Sequence, residues 1–429
     1  MTLREIDEKE FKKIADKSPQ VTFHQTSAWA KLKSTNGWLS FYVSLEDNEK
    51  SVASALLLAK KMPIINKYIF YSPRGFLIDY NDKKVLKAFT EEIKKFIKKK
   101  NGIFVKIDPY VMYQERDNDG NIVENGKNNK ESFQNLIDLG YKHFGFNLMQ
   151  EALQPRWMHV IDTDRSLDDI LKNMESKTRQ ILRKNEKCGI KVYEIEHDEL
   201  KTFKEIMQHT SDRREFIDRP MSYYENMWKY LHDAGILKIM LADVDFLLYK
   251  ENTLKELNEV KDKLNDRIEK YENNLLKMNK KKYENSNKND EESIKRLEKN
   301  LKKIDDYIEK YGEKKTLGGI LFLIYGNEVL SLYGGSDAEL MEFQSAYSVH
   351  YAGVKYAQEH KYKRYNFYGI TGIFDESNPL YGLELFKKSF GGYVVELIGE
   401  FDLVVNTPLY ILYKMAYSLY HKIKNLKNK

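Results

Sequence analysis

The chain has 429 residues, 41% of them hydrophobic and 13% aromatic, which is enough for two domains and an additional element. Its formal net charge of +6 is mildly basic, so nucleic acid, phosphate or an anionic membrane surface is a compatible partner, although none is required. Cys188 is the single cysteine, which excludes an internal disulfide framework and a thiolate metal cluster.

The first 155 residues alternate between strand-like and helical patterns. Apolar runs predict strands at 41–45, 52–59, 68–71 and 103–107, and apolar residues at helical spacing predict a helix at 85–99. Residues 117–131 are polar, with Asp-Gly and Asn-Gly pairs, and predict a solvated loop before a short helix at 133–139. Helices interleaved among strands are typical of a mixed α/β fold.

A second cycle of similar order begins near Arg156. The pattern predicts a strand at 158–161, one long helix at 166–187 with Ser166 as its N-cap, and a strand at 190–195. Helices at 200–210 and 223–234 and a strand at 237–242 follow. The two halves therefore share an order of elements, although no residue-by-residue repeat is visible.

The most regular pattern lies between residues 254 and 311, where apolar positions are alternately three and four apart. The positions are Leu254, Leu257, Lys261, Leu264, Ile268, Tyr271, Leu275 and Met278, then Ile294, Leu297, Leu301, Ile304, Ile308 and Tyr311. This spacing predicts an antiparallel coiled-coil hairpin with its turn at 286–290, and a strand resumes at 319–325. Such an arm is either a spacer or dimerisation element, or a contact for a large ligand such as tRNA.

The C-terminal segment is basic and apolar. No acidic residue follows Asp402, whereas lysines accumulate among Tyr, Leu and Ile at positions 414, 422, 424, 427 and 429. A helix of this composition either packs one apolar face on the protein body or lies on anionic lipid.

Several common catalytic patterns are missing from the sequence. The nine histidines are scattered without an HExxH pattern, and neither GxSxG, GxxxxGK(S/T) nor a strand-linked GxGxxG occurs. The sequence therefore predicts no dedicated metal, no nucleotide-hydrolysing loop and no dinucleotide site.

Four groups of residues are candidate sites, each with a plainer structural interpretation. Lys33 follows Trp29 in a predicted surface turn, where it could also hold a phosphate, and Asp108 ends an apolar strand just before a proline. Arg219 precedes a helix and either binds a phosphate or pairs with the neighbouring Asp218. The basic stripe along 172–187 could contact RNA phosphates or simply be solvated.

Taken together, nine short motifs resemble the FemABX-type peptidoglycan bridge transferases, and the FemX-like enzymes, which add the first bridge residue, most closely. In family order they are FHQTSAWAKLK at 23–33, YSPRG at 71–75, KIDP at 106–109, QPR at 154–156, SKTR at 176–179, DRPMSY at 218–223, SLYGGS at 331–336, YGLELFKK at 381–388 and IGEFD at 398–402. Each motif is weak alone, but their shared order covers nearly the whole chain.

The resemblance implies an α/β (α+β) fold with two GNAT-like acyltransferase domains. The first comprises 1–155 completed by 397–429, and the second comprises 156–396 with the coiled-coil arm inserted at 247–312. By position, Lys33, Arg219, Tyr223 and Tyr333 resemble the residues that bind the precursor. Asp108 resembles a base for the attacking amine, and Phe386 and Lys387 resemble the pair near the aminoacyl end of the tRNA. Relatives tend to carry a glycine pair at Tyr368–Gly369, so this loop is expected to differ.

The same resemblance implies the reaction and its partners. Aminoacyl-tRNA is the expected donor of Gly, Ala or Ser, and lipid II or UDP-MurNAc-pentapeptide is the expected acceptor. No cofactor is expected, because the aminoacyl ester is already activated. The N-terminal segment lacks an apolar signal-peptide core and no segment has the roughly 20 apolar residues of a membrane span, so we expect a cytoplasmic protein with contact at most to the inner membrane surface.

Three other functions remain open at the level of sequence. A CoA-dependent acetyltransferase should carry an RxxGxG/A-like loop, which the chain lacks. Aminoacyl transfer to a lipid head group would use the same donor without needing the pair of Lys33 and Arg219. A non-catalytic scaffold that binds tRNA or membrane would tolerate the loss of Lys387 and Asp108.

Overall fold

The computed structural model describes residues 1–148, 153–214 and 216–427, and contains two β-sheets. The fifteen strands are β1 Thr2–Ile6, β2 Trp38–Asp47, β3 Lys50–Lys61, β4 Tyr68–Ser72, β5 Gly102–Ile107, β6 Met112–Glu115, β7 Lys142–His143, β8 Trp157–Asp162, β9 Ile190–Glu194, β10 Leu237–Asp245, β11 Lys314–Tyr325, β12 Glu328–Ser336, β13 Arg364–Ile370, β14 Tyr393–Leu397 and β15 Phe401–Val404. The strands predicted from apolar runs are all present.

The described part of the chain also contains thirteen α-helices. They are α1 Glu8–Ala15, α2 Ser27–Ser34, α3 Lys83–Lys99, α4 Lys130–Asp138, α5 Leu167–Asn173, α6 Ser176–Lys187, α7 Leu200–Arg214, α8 Met221–Met227, α9 Phe246–Glu272, α10 Lys280–Tyr311, α11 Ser345–Glu359, α12 Tyr381–Lys388 and α13 Thr407–Lys427. A π-helical turn, Trp228–His232, extends α8. The predicted mixed α/β class is confirmed.

The first sheet has the strand order β1-β2-β3-β4-β5-β15-β7. Residues 53–59 of β3 are all buried, because successive side chains of a strand point to opposite faces and both faces are covered. Leu56 and Leu58 pack in the core that contains Trp29 of α2, whereas Ala55 and Leu57 pack in a separate core with helix α3. The sheet is therefore sandwiched between helices.

The second sheet has the order β6-β14-β8-β13-β12-β11-β10-β9. Its strands do not follow a simple division of the chain, because β6 comes from residues 112–115 and β15, near the C-terminus, lies in the first sheet. The core that contains Trp29 also includes Trp228 and Leu321, so one apolar interface joins the elements of both sheets. The predicted domain bounds remain a prediction.

The single helix predicted at 166–187 is wrong, because the structure divides it into α5 and α6. Ser166 caps α5 as predicted, but Met174 and Glu175 adopt extended backbone conformations between the helices. The Arg179 guanidinium donates to the carbonyl oxygens of Leu171 and Lys172, at 3.3 and 3.2 Å. Carbonyls that a continuous helix would pair internally are thus satisfied by a side chain, which stabilises the break.

The inserted helical hairpin is present, but its predicted turn at 286–290 is wrong. Helices α9 and α10 are joined at 273–279, where Asn274 has φ 54° and the Asn279 side chain accepts the N–H of Lys282. Residues 286–290 lie inside α10, where Asp290 pairs with Arg267 of α9. A charged pair across the seam explains why this polar stretch continues as helix.

The base of the hairpin packs on the protein body, whereas its distal part packs on itself. Ile304 is fully buried and lies with Phe246 and Phe343 in one apolar cluster. Farther out, the rings of Tyr271 and Tyr283 stack at 3.8 Å across the two helices. The arm therefore contains a part that supports the body and a part that does not.

Deleting residues 262–294 and closing the helices with a short turn should change the thermal midpoint by less than about 3 °C, because the removed contacts lie within the hairpin. Deleting 254–311 should instead lower the free energy of unfolding by about 3 kcal/mol or more, because it removes Ile304 from its contact with the cluster around Phe246. Thermal unfolding followed by circular dichroism compares the two variants, and equal midpoints would show that the base adds nothing to the body.

Candidate active site

Asp108 lies at the end of β5 and is only 3% exposed. Its Oδ1 accepts the backbone N–H of Arg74 at 2.8 Å, and its Oδ2 lies 3.6 Å from Nη1 of the same residue. Burial raises the pKa of Asp108 to about 6, although the Arg74 guanidinium opposes this rise. A carboxylate with this pKa can exchange a proton near neutral pH.

Tyr368 of β13 connects the Asp108 region to the second sheet. Its hydroxyl donates to Oε1 of Gln154 at 2.6 Å, and the Arg74 guanidinium donates to the carbonyl of Pro155 at 2.7 Å. Tyr368 has φ 61°, a left-handed conformation that is uncommon for a residue with a bulky side chain. The tyrosine therefore combines a left-handed backbone conformation with a hydroxyl that contributes to the site.

Lys387 lies on α12 and is buried, with 7% of its surface exposed. Its Nζ donates to the carbonyl oxygen of Gly369 at 2.6 Å, so the amine lies directly behind the backbone that follows Tyr368. Burial lowers the pKa of Lys387 to about 7, partly offset by Glu384 one turn earlier. Lys387 can therefore switch between ammonium and amine at physiological pH.

Phe386 packs in an aromatic cluster beside Lys387. Its ring lies 4.7 Å from that of Tyr347 and 5.3 Å from that of His350. Burial, together with the charge of Lys387, lowers the pKa of His350 and of His159 to about 3. Both imidazoles are therefore neutral, and Lys387 carries the titrating charge of this cluster.

Lys33 and Arg219 form a cationic pair that crosses from the first sheet to the second. The Lys33 Nζ lies 4.2 Å from the ring centroid of Trp29, which is buried, whereas Lys31 on the same helix is exposed. Burial and the nearby Arg219 charge lower the pKa of Lys33 to about 8. Among the described residues, no carboxylate lies within 4 Å of either cation, because Asp218 pairs with Lys204 at 2.6 Å.

Tyr223 and Tyr333 lie beside this cationic pair. The Arg219 guanidinium lies 5.5 Å from the ring centroid of Tyr223, and the ring of Tyr333 lies 6.3 Å from that of Tyr224. Burial and the neighbouring Tyr333 raise the pKa of Tyr223, so its hydroxyl remains protonated. Two cations and two hydroxyls are the donor set that a phosphate or pyrophosphate requires.

Tyr368 connects the predicted site residues. Burial and the nearby Tyr333 raise the pKa of Tyr368, and Tyr368 in turn contributes to the raised pKa of Tyr223 and of Arg74. The roles of the individual site residues remain predictions. Sequence reasoning assigned no role to Arg74, although its motif was singled out, and it missed Tyr368 because a single tyrosine in a strand carries no signal. A cavity beside Asp108 is lined by Arg74, Asn147, Gln154, Arg156, Leu397, Gly399 and Glu400.

Comparisons with known proteins extend over this whole arrangement. The model of the FemAB family matches residues 6–418. The chain is 32% identical over 429 residues to the aminoacyltransferase FemA of Staphylococcus aureus strain bovine RF122 / ET3-1, and 99% of each chain is covered. FemA of strain N315 gives the same identity and coverage. The crystal structure of FemX superimposes with a TM-score of 0.81 at 29% identity, covering 96% of this chain and 99% of that chain.

These matches confirm the resemblance to the FemABX-type transferases that the motifs predicted. Because the chain matches both FemA and FemX at similar identity, the matches do not show which bridge residue it adds. Addition of the first bridge residue therefore remains a prediction. The matches run nearly from end to end, and they include the elements that carry Lys33, Asp108, Arg219 and Lys387. The chain belongs to the FemAB family and is an aminoacyltransferase.

Proposed function

We propose that this enzyme transfers an amino acid from aminoacyl-tRNA to the stem-peptide amine of a peptidoglycan precursor, either lipid II or UDP-MurNAc-pentapeptide. The observation that carries the proposal is the pair of Lys33 and Arg219, which are brought together without a carboxylate among the described residues. Two uncompensated cations repel each other unless an anion binds between them. Both acceptors carry a pyrophosphate, which is such an anion.

The chemistry needs one proton acceptor and one cation near the reacting ester. The neutral amine of the stem peptide attacks the ester carbonyl, and a tetrahedral oxyanion forms as the new C–N bond is made. Lys387 as an ammonium stabilises this oxyanion, and Asp108 accepts the proton that the amine loses. Collapse breaks the C–O bond and releases the tRNA through its ribose hydroxyl, which takes up a proton.

We propose no cofactor beyond aminoacyl-tRNA as co-substrate. The ester bond to the tRNA already stores the free energy that amide formation releases, so the transfer requires neither ATP nor an enzyme nucleophile. Three exposed cations of α6, Lys177, Arg183 and Lys184, have no carboxylate within 4 Å among the described residues. A basic stripe of this kind fits the phosphates of the tRNA donor.

We place the reaction at the cytoplasmic side of the membrane, where both proposed substrates are accessible. No helix in the described part of the chain is both long and apolar enough to cross a bilayer. A lipid-linked acceptor would therefore have to be reached from the membrane surface.

Arg219→Ala should weaken precursor binding by about 1.5–3 kcal/mol, the scale of a charge-assisted hydrogen bond, which is roughly a 10- to 150-fold rise in Kd. Isothermal titration with UDP-MurNAc-pentapeptide measures the change. Arg296→Ala, on the exposed face of α10, is the matched control and should leave Kd unchanged. An unaltered affinity in Arg219→Ala would remove this residue from the binding site.

The reaction itself is tested by mass spectrometry of lipid II after incubation with the enzyme and a fully charged tRNA pool. A gain of one residue mass that ribonuclease abolishes would establish the transfer and identify the donated amino acid. The same assay with the UDP-linked precursor distinguishes the two acceptors. If neither acceptor gains mass, including lipid II that already carries one bridge residue, the proposed function is wrong.

A further inference from the structure

One edge of the first sheet collects elements that are distant in sequence. The strand registers pair Lys61 with Tyr68 and Tyr68 with Gly102, and place Val404 opposite Phe104. The end of β3, the starts of β4 and β5 and the end of β15 therefore share this edge. The loop 62–67 joins β3 to β4 here, and α13 begins here three residues after β15.

Large apolar side chains on this edge are exposed. Ile64 in the loop is 94% exposed, and on α13 the exposed apolar side chains are Ile411 at 51%, Leu412 at 61%, Met415 at 65% and Leu419 at 60%. Leu412, Met415 and Leu419 recur at intervals of three and four, and Ile411 lies one turn before Met415, so the four side chains share one face of the helix. Met62 and Tyr413 pack in one cluster around Phe104, so the loop and the helix lie side by side.

The charges around these apolar side chains are positive. Lys61 immediately precedes the loop and Lys67 is its last residue. Lys98 and Lys99 lie at the end of α3, at the same edge of the sheet. None of these four has a carboxylate within 4 Å among the described residues. The sequence contains no acidic residue between positions 50 and 78, which include the loop, and none after Asp402.

We propose that the loop 62–67 and helix α13 form a face that binds an anionic bilayer surface. An exposed apolar stripe lowers its free energy by entering the acyl boundary, and the surrounding lysines are attracted to anionic head groups. A second copy of the chain fits less well, because it would bring two sets of unpaired lysines together. Charge complementarity therefore selects the membrane as the occupant.

Helix α2 extends between this face and the active site. Gln25, just before α2, donates to the carbonyl of Pro73 at 2.6 Å, near Asp108, whereas the carbonyl of Asn36, just after α2, accepts from Lys60 at the membrane-facing edge. One end of α2 therefore lies near Asp108 and the other near the membrane-facing edge, and the Lys33 amine of this helix lies over the ring of Trp29. If the proposed function is correct, this face brings the enzyme to the bilayer in which a lipid-linked precursor is anchored.

Vesicle co-sedimentation tests the face without any enzymatic step. The full chain should bind vesicles of phosphatidylglycerol and phosphatidylcholine, bind pure phosphatidylcholine vesicles at least tenfold more weakly, and be released by high salt. The double variant Ile64→Asp with Leu412→Asp should lose at least tenfold in binding. Both positions are exposed, so the fold should be kept, and thermal unfolding checks this.

Leu275→Asp is the matched control, because Leu275 is 75% exposed in the turn of the hairpin. It should bind vesicles as the unmodified chain does. Equal binding by the double variant and the control would overturn the proposal. A concentration-dependent dimer that the double variant abolishes, with no vesicle binding, would instead assign the face to a second copy.

Measuring transfer to each of the two acceptors distinguishes a failure of this inference from a failure of the proposed function. The double variant should modify lipid II in anionic vesicles at least tenfold more slowly, yet modify UDP-MurNAc-pentapeptide at the normal rate. Vesicle binding without transfer to either acceptor would preserve the docking face while rejecting the proposed reaction. Normal transfer to vesicle-bound lipid II by the double variant would show that the face does not serve the reaction.

Discussion

Lys387→Met should reduce kcat about 100- to 1,000-fold while leaving the Kd for UDP-MurNAc-pentapeptide nearly unchanged. The loss corresponds to the removal of one oxyanion-stabilising group from a water-poor site. Methionine fills a similar volume without the cost of burying an amine, so the variant should remain folded. Single-turnover transfer from charged tRNA measures kcat, and titration measures the precursor affinity.

Lys388→Met is the control for this substitution. Lys388 neighbours Lys387 in sequence but pairs with Asp119 and is one third exposed. Its replacement should change kcat by less than about threefold, since an exposed ion pair contributes little. If Lys387→Met lowered the precursor affinity and kcat together, the assigned role of Lys387 at the aminoacyl end would be wrong.

Once the rate is corrected for the titration of the acceptor amine itself, the same site predicts a bell-shaped dependence of kcat on pH. Asp108 accepts a proton only when ionised, so the rate should rise as pH increases through about 6. Lys387 stabilises the oxyanion only when protonated, so the rate should fall as pH increases through about 7. Saturating precursor keeps the titration of Lys33 out of the profile. Asp108→Asn should remove the acidic limb and Lys387→Met the alkaline limb.

Glu396→Gln should lower the free energy of unfolding by about 3–5 kcal/mol, the cost of leaving a buried charge uncompensated. Glu396 lies in β14 and accepts from Arg156 at 2.8 Å, from Arg116 at 2.6 Å and from Gln114 at 2.9 Å. The side chains of Glu396 and Arg156 are each 4% exposed, so water cannot solvate the Arg156 charge once its carboxylate partner is lost. Urea denaturation followed by fluorescence measures the change.

Glu298→Gln provides the control, because Glu298 pairs with Lys261 on the hairpin and its side chain is 49% exposed. It should cost at most about 1 kcal/mol. A double variant, Glu396→Leu with Arg156→Met, replaces the buried pair with apolar groups and should be more stable than Glu396→Gln alone. If it is not, the buried charge is not the cause of the loss.

Sequence patterns identified most elements because they depend on local periodicity. The apolar run of β3 and the helical spacing of α3 predicted both elements within about two residues of their observed ends. Errors arose where a side chain from another element decided the backbone. Arg179 stabilises the break between α5 and α6, and the Arg267–Asp290 pair keeps α10 helical through a polar stretch.

The order of nine motifs by itself determined the family, because a family constrains which residue types occur at which positions, and it supplied the site residues whose roles remain predictions. Only the tertiary structure decided their environment. Burial moves the pKa of Asp108 to about 6 and that of Lys387 to about 7, and, among the residues that the structure describes, Asp218 pairs with Lys204 and no carboxylate lies within 4 Å of Arg219. These properties depend on desolvation and on side chains of other elements in the folded protein, which no local pattern records.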